Sequence, residues 1–212
     1  MKRLPPKPAF LLGLLALTGH AHADRAALEA FMQDVDSFSA RFEQTLYAGT
    51  GEELQSQSGR VTLQRPARFR WEYDAPDAGA GGQTLVSDGE RVWLYDPELE
   101  QVTVNRIDER VAGTPLVVLM GDEPLDSAFG IAELGESDGI SWLELTPSRP
   151  DTDFEAVYLG FDGADLAALE LRDSFDQSTQ IRFEDFDADT PPASDVFTFQ
   201  VPDGVDVIGL DE

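Results

Sequence analysis

The chain holds few of the side chains on which most enzyme mechanisms depend. It has no cysteine, and both of its histidines, His20 and His22, and both of its lysines lie within the first 23 residues. If that segment is cleaved, Ser-His-Asp and Cys-His nucleophilic mechanisms, Schiff-base lysines and His or Cys metal sites are all excluded. Carboxylate chemistry and the binding of hard cations by oxygen ligands remain possible.

Acidic residues are abundant, but their patterns indicate turns and solvated surface. Asp88-Gly89 and Asp162-Gly163 are typical of hairpin turns and lack the repeated apolar-Asp-Thr/Ser-Gly pattern of aspartic proteases. The aspartates between residues 185 and 195 lack the fixed ligand spacing of a calcium loop. The sequence therefore predicts that the chain is not an enzyme and holds no metal or cofactor. A carboxylate-based hydrolase stays open as an alternative, since spacing in sequence cannot test a pair of glycosidase carboxylates.

The N-terminus has the pattern of a secretory signal peptide. Three basic residues accompany an apolar segment, residues 9–17, that is too short to span a bilayer, and Ala21-His22-Ala23 fits the small-x-small cleavage rule. We expect residues 1–23 to be cleaved and residues 24–212 to form a single domain. Because no cysteine stands at the cleavage site to carry a lipid, the sequence predicts the periplasm of a Gram-negative bacterium. Secretion and an uncleaved N-terminal anchor are the alternatives.

The charge of the remaining chain is strongly negative. Without the leader it keeps 12 arginines against 41 acidic residues, a formal charge of −29. Such a surface offers no basic patch to nucleic-acid phosphates and is repelled by anionic lipid headgroups. A halophilic source would explain it, because a salty periplasm screens the self-repulsion. Unfolding midpoints should then rise along a salt series.

The hydrophobic pattern changes from helical to strand-like near residue 36. Residues 24–36 have helical spacing, and from Phe38 onward short segments alternate apolar and polar residues between Pro, Gly and Asp-Gly turns. The predicted strands are residues 38–46, 55–64, 69–73, 84–86, 92–95, 102–104, 142–146, 156–161, 166–173 and 179–186. Residues 126–134 are ambiguous, and residues 197–199 form a last short apolar element. Short turns between successive strands indicate antiparallel pairing.

A short apolar segment, Leu116 to Met120, interrupts the strands and predicts a helix. Its plain interpretation is a core helix, and its functional interpretation is a mobile lid whose inner face touches ligand. Together these elements predict an α+β, mainly β fold. We expect an incomplete antiparallel β-barrel, in other words a strongly curved sheet, covered by the N-terminal helix and short lid helices.

Several short motifs, taken in order, resemble the outer-membrane lipoprotein carrier family, LolA. They are Arg65-Pro66, Phe69-x-Trp71, LVSDG at residues 85–89, VWLYDPxxEQ at 92–101, GTP at 113–115, LTP at 145–147 and FxFxxPxGVxV at 197–207. The resemblance implies a monomeric, non-enzymatic periplasmic chaperone for acylated lipoproteins. Such carriers receive lipoproteins from an inner-membrane ABC transporter and pass them to the outer-membrane acceptor LolB. LolB is itself lipidated, so the missing cysteine argues against that sister family.

The resemblance also assigns residues. It implies that Arg65 is a latch that hydrogen-bonds to lid backbone and closes the empty cavity, and that Phe69 lies at the cavity mouth. On residue type alone, Arg65 would be an arginine snorkelling at a strand end. The candidate acyl-chain contacts are Phe42, Leu46, Trp71, Trp93, Tyr95, Leu116, Leu119 and Met120. For the two tryptophans and Tyr95, a structural role in the sheet is the alternative. The alternative function is a periplasmic sensor domain that binds lipid or another small hydrophobic ligand on the same half-barrel.

Overall fold

A computed structural model describes residues 23–75, 81–107, 116–120, 125–149, 152 and 154–209. Residues 1–22 of the predicted signal peptide and the GTP motif at 113–115 lie outside this range. Across the described residues, none of the helices combines the length and the apolar character that a membrane crossing would require.

Twelve strands, three helices and one 3-10 turn make up the described elements. The helices are α1 Ala23–Asp34, α2 Leu116–Met120 and α3 Leu125–Ala128, and a 3-10 helix covers Ser194–Phe197. The first six strands are β1 Ser37–Tyr47, β2 Glu53–Gln64, β3 Arg68–Tyr73, β4 Thr84–Asp88, β5 Arg91–Asp96 and β6 Gln101–Arg106. The others are β7 Phe129–Ser137, β8 Ile140–Pro147, β9 Phe154–Asp162, β10 Asp165–Asp173, β11 Ser178–Asp187 and β12 Asp206–Gly209.

All twelve strands form one open sheet, in the order β12-β6-β5-β4-β3-β2-β1-β11-β10-β9-β8-β7. Strands β1 to β6 form one antiparallel meander and β7 to β11 a second, and the pairing of β1 with β11 joins them. The incomplete barrel and its antiparallel meanders, both predicted from the sequence, are therefore confirmed. Asp88-Gly89 and Asp162-Gly163 lie at hairpin turns, where both glycines have positive φ.

One face of the sheet, here called the inner face, carries the main core. Strand alternation places Phe38 and Phe42 of β1, Val61 and Leu63 of β2 and Trp71 of β3 on this face, all at most 5 % exposed. The same cluster continues across β8 to β11 through Leu143, Leu145, Val157, Leu159, Phe161, Leu166, Leu169, Ile181 and Phe183. The apolar register of both meanders thus faces one continuous interior.

Close packing on the inner face requires a glycine at position 59. Gly59 pairs with Phe42 on one side and Tyr73 on the other. A Cβ atom there would lie 2.0 Å from the carbonyl oxygen of Glu72 and 2.7 Å from Cζ of Phe42. Its absence lets the Phe42 ring lie flat on the sheet, with its centroid 4.3 Å from that of Trp71.

The helix α1 covers the inner face. It packs against β7, β8 and β9 and buries Leu28 and Phe31, whose ring lies 5.8 Å from the ring of Phe161 and 6.1 Å from that of Phe38. In α2, Val118, Leu119 and Met120 are at most 5 % exposed and belong to the same core. The predicted N-terminal helix and the predicted short helix are both present, and both lie against the core.

The opposite face, here called the outer face, has a second and smaller cover. Val86, Val102 and Val104 are at most 7 % exposed on this face. The chain after β11 crosses over them: the 3-10 helix buries Phe197, and β12 pairs in parallel with β6. Residues 194–209 are called the C-terminal strap below. The sequence patterns missed β12, and they left residues 126–134 ambiguous where the structure has α3 followed by β7.

Candidate functional site

Arg65 joins the two helices that cover the inner face. Its Nε donates to the carbonyl oxygen of Leu119 in α2 at 3.1 Å. Its Nη1 donates to the carbonyl oxygens of Phe31, at 3.3 Å, and Val35 at the end of α1. Its Nη2 lies 3.2 Å from the sulfur of Met32, and the guanidinium stands 5.1 Å from the centre of the Phe31 ring. One side chain therefore contacts α1 and α2 together.

The acceptors explain why an arginine suits this position. The last carbonyl groups of a helix lack partners within the helix, and a cation near that end also interacts favourably with the helix dipole. Arg65 reaches the C-terminal ends of α1 and α2, and its planar fork of five donors serves several acceptors at once. The guanidinium thus binds the carbonyl oxygens of Val35 and Leu119, and it shares that of Phe31 with the backbone amide of Val35.

The backbone that carries Arg65 is itself fixed. The amide of Arg65 donates to the carbonyl oxygen of Asp36 at 2.8 Å. The hydroxyl of Ser87, which is fully buried, donates to the carbonyl oxygen of Ala67 at 2.8 Å. The turn between β2 and β3 is therefore tied both to the α1–β1 connection and to β4. This gives the LVSDG motif a structural role, since its serine supports the turn that presents Arg65.

The environment of Arg65 is only partly buried. Burial lowers the pKa of Arg65 from its ordinary value, and the nearby Asp36 carboxylate opposes that shift. A guanidinium stays charged under such conditions. The contacts are thus charge-assisted hydrogen bonds to neutral carbonyls in a half-buried place, which water can replace when the helices move apart.

Four of the predicted contact residues lie on the inner side, together with the predicted cavity-mouth residue Phe69. Phe42, Phe69 and Leu119 are each 1 % exposed, and Trp71 and Met120 are each 5 % exposed. Phe69 pairs with Leu63 and Ser87 within the sheet, so it is sealed in the core rather than open at a rim in this conformation. Its role at a cavity mouth stays a prediction. Of α2, the side chain of Leu116 lies outside the described residues.

Leu46 lies on the same face but away from this group. It pairs with Gln55 of β2 and Thr179 of β11, and it is half-buried. Its neighbours are thus mainly polar. Leu46 lies toward the end of the sheet opposite Arg65.

Trp93 and Tyr95 do not line the inner face. In the sheet, Trp71 is in register with Leu85 and Leu94, whereas Trp93 is in register with Val86 and Val104. Their rings lie 6.3 Å and 6.1 Å from the ring of Phe199 in the C-terminal strap. Trp93 and Tyr95 therefore do not share a face with Trp71, because one-residue alternation turns them to the outer face, and their contact with acyl chains stays a prediction.

Sequence reasoning missed several residues at this site. Phe31, Met32 and Val35 were recognised only as the apolar side of a helix, yet they provide acceptors and a ring for Arg65. Every residue has a backbone carbonyl oxygen, so no sequence pattern could have identified Val35 as the residue whose oxygen accepts from Arg65. Tyr73 and Gln44 were also missed; the hydroxyl of Tyr73 donates to Oε1 of Gln44 at 3.2 Å on the inner face. Only the alternation of β1 and β3 could have pointed to them.

Acidic side chains are numerous, and their arrangement decides whether they could bind a metal ion. Within that part of the chain, no three Asp or Glu side chains come together as a metal site. The carboxylate of Asp187 accepts hydrogen bonds from the amides of Asp189 and Thr190, and the bonds from Thr190 lower its pKa most. The carboxylate of Asp187, within the acidic segment at 185–195, is therefore engaged in its own turn.

The fold and the site define a helix-covered half-barrel with an apolar inner face. A solved structure of an uncharacterized conserved protein from Thermus thermophilus has this fold, with a TM-score of 0.56 at 14 % identity, covering 87 % of this chain and 97 % of that one. The family model of the outer membrane lipoprotein carrier protein LolA matches residues 33–200.

Two curated relatives match over nearly their whole lengths. The outer-membrane lipoprotein carrier protein of Dechloromonas aromatica is 38 % identical, over 95 % of this chain and 94 % of that protein. The protein of the same name from Chromohalobacter salexigens is 40 % identical, over 92 % of this chain and 91 % of that protein. The chain therefore belongs to the LolA family of outer-membrane lipoprotein carriers.

Proposed function

We propose that this protein is a periplasmic chaperone of Gram-negative bacteria. It binds the acyl chains of lipoproteins released from the inner membrane and carries them toward the outer membrane. Membership of the LolA family supports the carrier function. The observation that carries the mechanism is the contact of Arg65 with both covering helices, because it describes a closed cover over an aromatic interior that a few polar bonds hold in place.

The physical need for such a carrier follows from the hydrophobic effect. Each CH₂ group of an acyl chain exposed to water costs about 0.8 kcal/mol, so a lipoprotein cannot cross an aqueous space with its chains unshielded. The inner face offers Phe42, Phe69 and Trp71 as an apolar replacement for the membrane interior. In the closed conformation these side chains pack on one another and on α2, so binding requires the cover to move.

Arg65 acts as the latch of that cover. Its bonds stabilise the closed, empty conformation, and this stabilisation is lost when acyl chains displace α2 from the sheet. The carrier consequently binds its cargo with moderate affinity, since part of the hydrophobic gain is offset by the broken latch. Moderate affinity is what a carrier needs in a compartment without ATP, where the next acceptor must simply bind better.

The partners follow from the same reasoning. We expect the monomer to receive lipoproteins from an inner-membrane ABC transporter and to deliver them to the acceptor LolB. The chain performs no catalysis in this scheme, and it uses no cofactor. Because its surface is strongly acidic, we expect it to dock on basic or neutral surfaces of these partners.

Purification from the periplasm followed by mass spectrometry tests the function. The full chain, expressed in a Gram-negative host and isolated without detergent, should carry intact acylated lipoproteins. Free lipid or a small hydrophobic molecule in their place would favour the sensor-domain alternative. An empty protein that accepts no lipoprotein from a reconstituted inner membrane would contradict the carrier function.

A further inference from the structure

Among the described residues, one buried polar side-chain atom on the inner face has no hydrogen-bond partner. Trp71 is 5 % exposed, and its indole Nε1 is buried with no hydrogen-bond acceptor among the described residues. Buried N–H groups nearly always have an acceptor, because an unpaired one costs free energy that the fold must recover elsewhere. Such an exception on a binding surface indicates a donor that is held ready for a ligand.

Neighbouring rings hold the indole in place. The centroid of Phe42 lies 4.3 Å from that of Trp71, and Tyr73 stands perpendicular to Phe42 at 5.4 Å. The hydroxyl of Tyr73 donates to Gln44, and the indole N–H approaches this hydroxyl closely enough to lower its pKa but not in the geometry of a hydrogen bond. Burial raises the pKa of Tyr73, and Gln44 and Trp71 oppose that shift. The hydroxyl thus stays protonated at neutral pH.

The polar groups of Trp71, Tyr73 and Gln44 lie together at the open end of the inner face. Tyr73, together with Gln55 and Gln57, lines a groove of about 680 Å³ that opens to solvent. Arg65 lies at the other end, where the turn between β2 and β3 meets the end of α1. The inner face therefore has an apolar end near Phe69 and a polar end near Tyr73.

We propose that the indole N–H of Trp71 donates a hydrogen bond to an acyl carbonyl of the bound lipid. This inference rests on the proposed carrier function. Every acyl group ends in a carbonyl, which accepts hydrogen bonds and donates none, and a single buried donor matches it. An ester or amide carbonyl brings no charge, whereas a free fatty acid would bring a carboxylate to a strongly acidic protein. The chains then extend from Trp71 along the inner face toward Phe69 and Leu63.

The test compares two synthetic lipopeptides on the full-length mature protein. One carries a cysteine-linked diacylglycerol with two ester carbonyls, and the other is its dialkyl ether analogue. Wild type should bind the ester about three- to tenfold more tightly than the ether, the range expected for one hydrogen bond. Trp71→Phe should remove that preference and leave ether binding nearly unchanged. Trp93→Phe, on the outer face, is the matched control and should keep the preference.

A second measurement needs no substitution at the site. The chain has three tryptophans, so ¹⁵N-labelled indoles give three N–H signals, which Trp93→Phe and Trp142→Phe assign. The Trp71 signal should move downfield with the ester lipopeptide and stay in place with the ether. This readout decides the question even if Trp71→Phe does not fold.

The outcomes separate the two proposals. If wild type binds neither lipopeptide, the carrier function and the carbonyl contact both fail. If wild type binds both with equal affinity and the Trp71 signal responds to both alike, the carbonyl contact is overturned while the carrier function stands.

Discussion

The two faces of the sheet are both covered, but in different ways. The inner face lies under α1 and α2, and the polar contacts that tie them to the sheet's turn come from the side chain of Arg65. The outer face lies under the C-terminal strap, where β12 extends the sheet through main-chain pairing with β6. Both interiors are apolar. The two faces differ in whether their cover can move away without breaking main-chain hydrogen bonds of the sheet.

This difference separates a permanent cover from a movable one. Removing the strap would unpair residues 206–209 from residues 101–104 and expose an edge of the sheet. Moving α2 breaks the hydrogen bond from Arg65 to the carbonyl oxygen of Leu119. Water can replace both partners of that bond, since Arg65 is half-buried. We expect ligand-linked motion on the inner side and stability without motion on the outer side.

The largest expected effect is the loss of hand-off in Arg65→Leu. Without the latch, the closed empty state loses charge-assisted hydrogen bonds worth about 2 kcal/mol together, so cargo binds about thirtyfold more tightly. Transfer to the acceptor should then slow by more than tenfold. The measurement is the passage of a labelled lipoprotein from carrier to purified acceptor, read over time.

Arg70→Leu is the matched control for that experiment. Arg70 lies on the outer face, where it donates to the carbonyl oxygen of Val196 in the strap at 3.4 Å and pairs with Glu72 at 2.8 Å. It therefore contacts a cover by similar chemistry, but on the face without the proposed cargo. Hand-off should stay near the wild-type rate. Equal slowing in both variants would show that hand-off does not depend specifically on the cover of the inner face.

A second prediction concerns the anchor of the strap. Phe197 is 3 % exposed, and the guanidinium of Arg68 stands 5.7 Å from the centre of its ring. Phe197→Ala should lower the free energy of unfolding by about 3 kcal/mol, as expected for removing a buried aromatic ring. Lipoprotein hand-off should be unchanged under conditions where the variant is folded. Urea unfolding and the transfer assay, run on the same preparation, measure the two quantities.

A third prediction uses a glycine beneath an aromatic ring on each face. A Cβ at Gly59 would meet the backbone oxygen of Glu72, whereas a Cβ at Gly160 would meet Cγ2 of Ile140 at 2.8 Å and the Trp142 ring at 3.1 Å. Backbone cannot move aside, but side-chain ends can. Gly59→Ala should therefore cost about 2 kcal/mol of stability and Gly160→Ala less than half of that. Equal losses in chemical denaturation would contradict the tighter packing of the inner face.

Much of this arrangement could be predicted from the sequence. Period-two alternation and turn residues predict the meanders correctly, because register on a half-buried strand is strongly specified. The parallel pairing of β12 could not be predicted, since Asp206–Gly209 is short and has neither alternation partners nor a hairpin turn nearby. Segment 126–134 was ambiguous because the helix α3 gives way to a strand within it.

The site was predictable only in part, for a related reason. Residue type identified Trp71, Trp93 and Tyr95 as aromatic, but assigning a face requires the register of β5 against β4. Once that register is known, Trp93 separates from Trp71. The role predicted for Arg65 came from a resemblance, and its acceptors are backbone oxygens that any residue supplies. Contacts of that kind depend on the fold and not on the side chains at those positions.

The smallest expected effect compares one tyrosine on each face. Burial raises the pKa of Tyr73 on the inner face, and it also raises that of Tyr158, which is more exposed and donates to Glu144 on the outer face. A tyrosine with a raised folded pKa stays neutral while the unfolded chain ionises above about pH 10. Stability is therefore complete below that pH and falls as pH rises toward the folded pKa, by at most about 1.4 kcal/mol per pH unit.

Urea unfolding between pH 9 and 11 measures this loss. The free energy of unfolding of Tyr73→Phe should fall less steeply with pH than that of wild type. The difference between the two should shrink by about 1 kcal/mol near pH 11. Tyr158→Phe should follow the wild-type slope more closely, because solvent screens the more exposed hydroxyl. If Tyr158→Phe changed the slope as much as Tyr73→Phe, the inner face would be as hydrated as the outer one. A hydrated inner face would not need the hydrogen bonds of Arg65 to keep a cover closed over it.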